Sequence, residues 1–288
     1  MTDPPSKALI VGISGPSSSG KTTLARLLQR VFNEVTLNAH HLTTFIIHED
    51  DFYYPDDQIP YTTTPSGTIQ DWDTVSAIDT DFLSQSLAYV RTNGHLPPRL
   101  KSKEDQSEQG RLSVPDSVVL ELRDVVAKRL ASSLKTIAFM EGFLLYAPPG
   151  KDHVLKKVQE FIDLPLFLPA SYEDVKRRRE ARSGYVTIGQ AESKKEVDLE
   201  AEDEKAPQNF WVDPPGYVDD VVWPRYVEDH AWLLIPEEGE GDLVKRVGSG
   251  LKVRRDVGVK VAPGEGVDME TVLRWAVEEV LGAYNRLG

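Results

Sequence analysis

Cysteine is absent from the 288-residue sequence, which excludes disulfides and thiolate chemistry. Positive charge is scarce: 33 lysines and arginines stand against 46 aspartates and glutamates, a formal net charge of −13. That balance repels polyanions, so neither nucleic acid nor an anionic membrane is expected as a main partner; a small ligand carrying positive charge suits the chain better. Long hydrophobic runs are also missing. The apolar run near the N-terminus stops at Gly12, is too short to span a bilayer and lacks the layout of a signal peptide, so a cytoplasmic protein is expected, with the nucleus as the other compartment. No internal repeat is present. What remains is enough chain to bury a sizeable core, and a single domain over 1–288 is expected.

The strongest pattern is "GISGPSSSGKTTLARLL", Gly12 to Leu28. Ala8 to Ile13 reads as a buried parallel strand, and Thr22 to Phe32 carries Leu24, Leu27, Leu28 and Val31 at helical spacing, so Gly15-x-x-x-x-Gly20-Lys21-Thr22 falls where a phosphate-binding P-loop needs it. Two further β-branched runs, Thr43 to Ile47 and Thr136 to Met140, end in carboxylates: Glu49, Asp50 and Asp51 after one, Glu141 after the other. Val75, Ile78, Phe82, Leu83, Leu87 and Val90 mark a helical face that stops at Gly94. Asp116 or Ser117 could cap a helix running through Leu134, and Ser171 with Asp174 resembles a capping box. "AWLLIP", Ala231 to Pro236, looks like another strand, and Asp268 opens a final amphipathic helix. "GQAESKKEVDLEAEDEKAPQN", Gly189 to Asn209, is charged and almost devoid of large apolar groups, which predicts a mobile insertion.

Each of these elements has a chemical reading. In a P-loop, the backbone N–H groups from Gly15 to Thr22 wrap a phosphate at a helix N-terminus, where orphan donors and the macrodipole favour an anion. Gly15, Ser17, Ser18, Ser19, Gly20, Lys21, Thr22 and Thr23 are therefore the expected nucleotide-binding residues, with Lys21 bridging phosphates and Thr22 on Mg²⁺. Phosphoryl transfer to an alcohol also needs a carboxylate near the acceptor hydroxyl and an acidic partner for the metal. Ligands of doubly wound sheets bind beyond the carboxyl ends of the strands, which is where Asp50, Asp51 and Glu141 should lie. By composition alone "EDDFYYPDD" is an ordinary solvated loop, and only its place after a strand points to function. Similarly, "KRRREAR", Lys176 to Arg182, would ordinarily be a solvated helix face, but in an acidic P-loop protein its guanidinium forks suit a lid that closes over ATP. A GTPase would share the P-loop. Asp213-Pro214-Pro215-Gly216 fits a D-x-x-G pattern, yet no N-K-x-D tetrapeptide follows it.

Together "GISGPSSSGKTTLA", "EDDFYYP", "DWDTVSAID", "EGFLLY", "SYEDVKRRREAR" and "PPGYVDDVVWPRY" resemble the motifs of the nicotinamide riboside kinases, a branch of the uridine kinase-like P-loop kinases, in family order from about Lys7 to Ile235. The resemblance implies an α/β P-loop kinase fold with a central, mainly parallel sheet and helices on both faces. It also implies ATP and Mg²⁺ as cofactors and a small-molecule nucleoside as substrate. Carried over residue by residue, it makes Asp50 the catalytic base on the ribose 5′-hydroxyl and puts Glu141, with Thr22, at the Mg²⁺ and reaction centre. Asp73 would hold the ribose hydroxyls, Trp72 would stack on the nicotinamide where the family often has tyrosine, and Arg179 would contact the nucleoside. Tyr185 would be the second stacking ring, leaving Arg178 and Arg182 for the nucleotide lid. Segments near 102–115, 189–209 and 239–263 are insertions relative to the family. A cationic pyridinium suits aromatic faces in an acidic protein on physical grounds too. Two rivals stay open: a kinase for uridine, cytidine or another ribosyl acceptor, and a catalytically idle nucleotide-binding scaffold.

Overall fold

A computed structural model describes residues 6–37, 40–100, 114–131, 134–182, 184–187, 209–264 and 267–287. Apart from 114–115 and Asn209, the segments 102–115 and 189–209 expected as insertions lie outside the described residues.

Five parallel strands form the central sheet: β1 (Ala8–Ser14), β2 (Thr43–His48), β3 (Thr136–Gly142), β4 (Leu164–Phe167) and β5 (Lys260–Val261), in the spatial order β5-β4-β1-β3-β2. Every pairing among them is parallel. Parallel strands covered on both faces must be apolar throughout, and all seven residues of β1 and of β3 are buried. Successive side chains alternate between two cores. Ala8, Ile10, Ala138 and Met140 pack with the Thr80–Asn93 helix and the Tyr217–Leu234 region. Leu9, Val11, Ile13, Ile137 and Phe139 face the Lys21–Phe32, Asp116–Arg129 and Met269–Leu287 helices on the other side. The α/β architecture with helices on both faces is as expected.

Local signals account for most boundaries. Ser171 accepts the Asp174 N–H at 3.1 Å and caps the Tyr172–Glu180 helix, while Asp268 accepts the Thr271 N–H at 2.8 Å ahead of Met269–Leu287. Gly94, at φ 77°, closes the Thr80–Asn93 helix as anticipated. That helix starts later than the apolar spacing from Val75 suggests, because Asp79 accepts the Phe82 N–H at 2.9 Å, leaving Val75–Ala77 as a 3-10 turn. Likewise the Asp116–Arg129 helix stops at an extended Leu130 instead of reaching Leu134.

"AWLLIP" is not a strand. The Leu233 and Leu234 N–H groups bond back to the His230 carbonyl at 2.8 and 2.9 Å, continuing the Trp223–Asp229 helix as turns. The run meets another segment only in one isolated antiparallel bridge, Leu234 opposite Val253, closed by the Ile235 N–H on the Lys252 carbonyl and the Arg254 N–H on the Leu233 carbonyl, both at 2.8 Å. Both leucines are buried, and burial is all that a short apolar run encodes. The fifth strand comes instead from Lys260–Val261, inside the 239–263 segment, with Val259, Val261 and Ala262 buried against the sheet edge. Among the described residues no helix is long and apolar enough to cross a membrane.

Candidate active site

At the carboxyl edge of the sheet lies one cleft of about 630 Å³, walled at one end by the P-loop and at the other by aromatic rings. Ser17 to Thr23 line it. Gly15 is required by packing, since a Cβ there would collide with the Leu168 carbonyl, and Gly20 takes the left-handed conformation (φ 97°) just before the helix begins. Ser18 also sits at positive φ, 61°. The Ser18 and Ser19 hydroxyls are buried without a hydrogen-bond partner, and Lys21 Nζ donates to the Pro16 carbonyl at 3.0 Å. Buried hydroxyls in that state are costly unless an acceptor arrives, so the cradle suits a phosphate oxygen. Burial lowers the Lys21 pKa against the pull of Glu141, Asp50 and Glu49.

In register on neighbouring strands, β2 and β3 bring His48 beside Glu141. Glu141 Oε1 meets His48 Nδ1 at 2.7 Å and accepts the Thr22 hydroxyl at 3.0 Å. Burial works to raise the Glu141 pKa, but the bonds and charges from His48, Lys21 and Thr22 prevail and hold it below the ordinary value. Past β2, the 3-10 turn Glu49–Phe52 divides its three carboxylates by task. Asp50 lines the cleft with Lys21 and Glu141, whereas Asp51 is buried outside the lining. Glu49 is fully buried and its Oε2 accepts the N–H groups of Phe143 and Leu144 at 2.7 and 3.0 Å, so it anchors the loop after β3. A side chain at Gly142 would clash with that carboxylate.

The far end of the cleft is built around a buried guanidinium. Arg179, on the Tyr172–Glu180 helix, grips Asp73 with both terminal nitrogens at 2.9 and 3.0 Å and reaches Asp213 through Nε at 2.7 Å. Its plane also lies over the Tyr185 ring, 5.2 Å from the centroid. Burial raises the Asp73 pKa, with Arg179 opposing. Trp72 is buried among rings: Tyr53 lies edge-on at 5.3 Å and Trp211 tilted by 47° at 5.6 Å. The backbone N–H of Trp72 donates to the Tyr217 hydroxyl at 3.0 Å. From the same helix Arg178 donates to the Ser18 carbonyl at 3.2 Å, and Arg182 lies over Tyr185 at 5.2 Å, so the basic run reaches both ends of the cleft.

Apart from Gly15, which shapes the loop from beneath, and Asp51, which is buried outside the lining, the residues expected at the site line this one cleft. Sequence reasoning passed over Tyr53, Phe143, Trp211 and Asp213. Trp211 and Asp213 do carry a signal, an aromatic and a carboxylate two residues apart directly before Pro214-Pro215-Gly216. His48 could have been found from its place as the last polar residue of β2, matching Glu141 on β3.

A glycine-lysine-threonine loop joining the first strand to the first helix of a parallel sheet marks the P-loop phosphotransferases, proteins that bind a nucleotide by its phosphates. The sequence profile of the Phosphoribulokinase / Uridine kinase family matches residues 10–179, and the chain belongs to that family. Among curated proteins it is similar to the nicotinamide riboside kinase of Schizosaccharomyces pombe, 29% identical over 281 residues that cover 96% of this chain and 98% of that one. The nicotinamide riboside kinase of Saccharomyces cerevisiae is 26% identical over 275 residues, 96% of each chain. Human nicotinamide riboside kinase 1 is 27% identical over 177 residues, 61% of this chain and 66% of that one.

Proposed function

We propose that the protein transfers the γ-phosphoryl group of ATP to the ribose 5′-hydroxyl of nicotinamide riboside, giving nicotinamide mononucleotide and ADP. The observation that carries this reading is the joining, in one cleft, of a phosphate cradle and an aromatic chamber floored by an Asp73–Arg179 pair. The similar curated proteins, named for the same reaction over nearly the whole chain length, support it.

The residues divide the work as follows. Backbone N–H groups of the loop and Lys21 hold the β- and γ-phosphates, and Arg178 and Arg182 cover them and exclude water. The oxygen donors of Thr22 and Glu141, already in contact, fit a hard cation such as Mg²⁺. When bound, that ion neutralises charge developing on the phosphates. Asp73 and Arg179 hold the ribose hydroxyls while Trp72 and Tyr185 take the pyridinium ring. Asp50 accepts the 5′-hydroxyl proton as the new O–P bond forms and the bond from the γ-phosphorus to the β,γ-bridging oxygen breaks, releasing ADP. A cytoplasmic enzyme with a mobile lid over the nucleotide is part of the same reading.

The test is ATP- and Mg²⁺-dependent phosphorylation of nicotinamide riboside beside uridine and cytidine at equal concentrations, with Lys21→Ala as the blank. Preference for nicotinamide riboside is expected. Preference for uridine or cytidine would overturn the substrate, and silence on all three would leave an idle nucleotide binder.

A further inference from the structure

We propose that Asp213 is a positioning and specificity residue: it locks the Arg179 fork and the Trp211 indole together and leaves the buried end of the cleft one negative charge in excess, selecting cationic bases. This rests on the phosphotransfer reading above and narrows its substrate class to nucleosides whose base is a ring cation.

The geometry begins with one carboxylate joining two walls. Asp213 Oδ2 accepts Arg179 Nε at 2.7 Å, and its Oδ1 accepts both Arg179 Nη2 at 3.3 Å and Trp211 Nε1 at 2.9 Å. The guanidinium belongs to the Tyr172–Glu180 helix and the indole to the strand Asn209–Trp211, which pairs antiparallel with Tyr185–Thr187. Asp213 thereby fixes where Trp211 stands relative to Trp72. Tyr53, Trp72 and Trp211 meet at steep mutual angles, 77° and 47°. Rings so arranged wall a space instead of stacking on one another, as in sites for quaternary nitrogens.

Charge supplies the second step. Asp73 alone satisfies Arg179 by a bidentate bond, so Asp213 is surplus to neutrality. Side chains of Arg179, Asp73 and Asp213 are 6%, 7% and 15% exposed, where an uncompensated charge is poorly screened. Asp71, next in sequence to Trp72, does not alter the balance, because Arg225 pairs with it at 2.8 Å. Arg182 stands over the outer aromatic, Tyr185, and belongs to the nucleotide phosphates once they are present. With ATP in place, a cation among the rings is answered by Asp213 as well as by Asp50, whose charge also reaches Tyr53; a neutral pyrimidine gains contact with the rings and leaves the Asp213 charge unanswered.

The experiment measures binding without turnover, by calorimetry at saturating Mg²⁺ and β,γ-imido ATP. The probes are nicotinamide riboside and its 1,4-dihydro form, which keeps the ribose and carboxamide but carries no ring charge. Wild type is expected to bind the cation about ten-fold more tightly. Asp213→Asn, whose one oxygen can accept the Arg179 Nη2 and Trp211 Nε1 N–H groups while its amide nitrogen is left facing Arg179 Nε, loosens the tie as well as removing the charge. It should therefore weaken binding of the cation several-fold more than binding of the dihydro form, and Asp213→Glu should restore the preference. Equal loss of both affinities in Asp213→Asn would reduce the residue to a structural tie. Equal binding of the two ligands by wild type, or binding of neither, would overturn the proposal even if the variants fail to fold. Because no phosphoryl group moves in this assay, a wild type that prefers the cation yet does not phosphorylate it would sink the proposed reaction and leave the charge selection standing.

Discussion

The two ends of the cleft are made in opposite ways. The end proposed to hold phosphate comes from eight consecutive residues, Gly15 to Thr22, of which Ser17 to Thr22 line the cleft, and in that reading backbone N–H groups at a helix N-terminus do most of the holding. The aromatic end draws Tyr53, Trp72, Phe143, Arg179, Tyr185 and Trp211 from segments scattered along the chain. Its bonds span long separations: Arg179 and Asp73 are 106 residues apart, and Trp72 and Tyr217 are 145 apart. An end built from one loop is fixed by local conformation, so it carries what all nucleotides share. An end built from distant side chains exists only when the fold is complete, and each wall can change separately, which is where substrate choice can be altered without touching the phosphates.

The sharpest way to separate the ends is to remove the group proposed to act where they meet. Asp50→Ala should lower kcat by roughly 10²–10⁴-fold while leaving the ATP dissociation constant unchanged. Full activity in the variant would remove Asp50 as the base. Breaking the far end instead should damage the fold as well as the chemistry. Arg179→Met strands the Asp73 and Asp213 carboxylates in a buried place, at a cost of about 3–5 kcal/mol, so the urea midpoint should drop markedly. An unchanged midpoint would mean that the network is decoration. Smaller still is Trp72→Ala, expected to raise the nicotinamide riboside KM about ten-fold with the ATP KM unmoved, since it deletes one cation–π face. If both Michaelis constants rose together, the two ends would not be independent.

The same contrast explains what the sequence could disclose. The P-loop was legible because its function is a spacing, Gly15 to Thr22, flanked by a strand and a helix whose apolar periods are plain. Strand-end carboxylates Asp50 and Glu141 were legible for a similar reason, as each follows a β-branched run. Trp72, Asp73 and Arg179 came from family resemblance, and nothing in their local pattern says that Asp73 and Arg179 meet. Trp211 and Asp213 escaped because a Trp-x-Asp sequence means little until the strand Asn209–Trp211 places it against a helix that ended 29 residues earlier. Fold boundaries failed where tertiary contacts overrode an apolar run, as at Leu233 and Leu234, or where a strand was too short to leave a pattern, as at Lys260–Val261.

A last distinction lies within the carboxylates after β2, where Asp50 faces the cleft and Glu49 is walled in. Burial pushes the Glu49 carboxyl up to about 8, against the two backbone bonds from Phe143 and Leu144 that favour its charged form. In the unfolded chain it titrates near 4.5. The folded protein therefore holds a proton that the unfolded chain has released between those pH values, so stability contributed by this group is complete below the lower one and is lost as pH rises toward the higher. Glu49→Gln keeps an oxygen to accept both N–H groups and cannot ionise. Urea midpoints of wild type and variant, measured without nucleotide, should coincide at about pH 4 and separate by about pH 8.5 in favour of the variant, with turnover the property least affected. Parallel curves across that range would mean that Glu49 is ionised in the fold, and the loop after β3 would then be held by a charged anchor, as the phosphate end is built to hold a charged ligand.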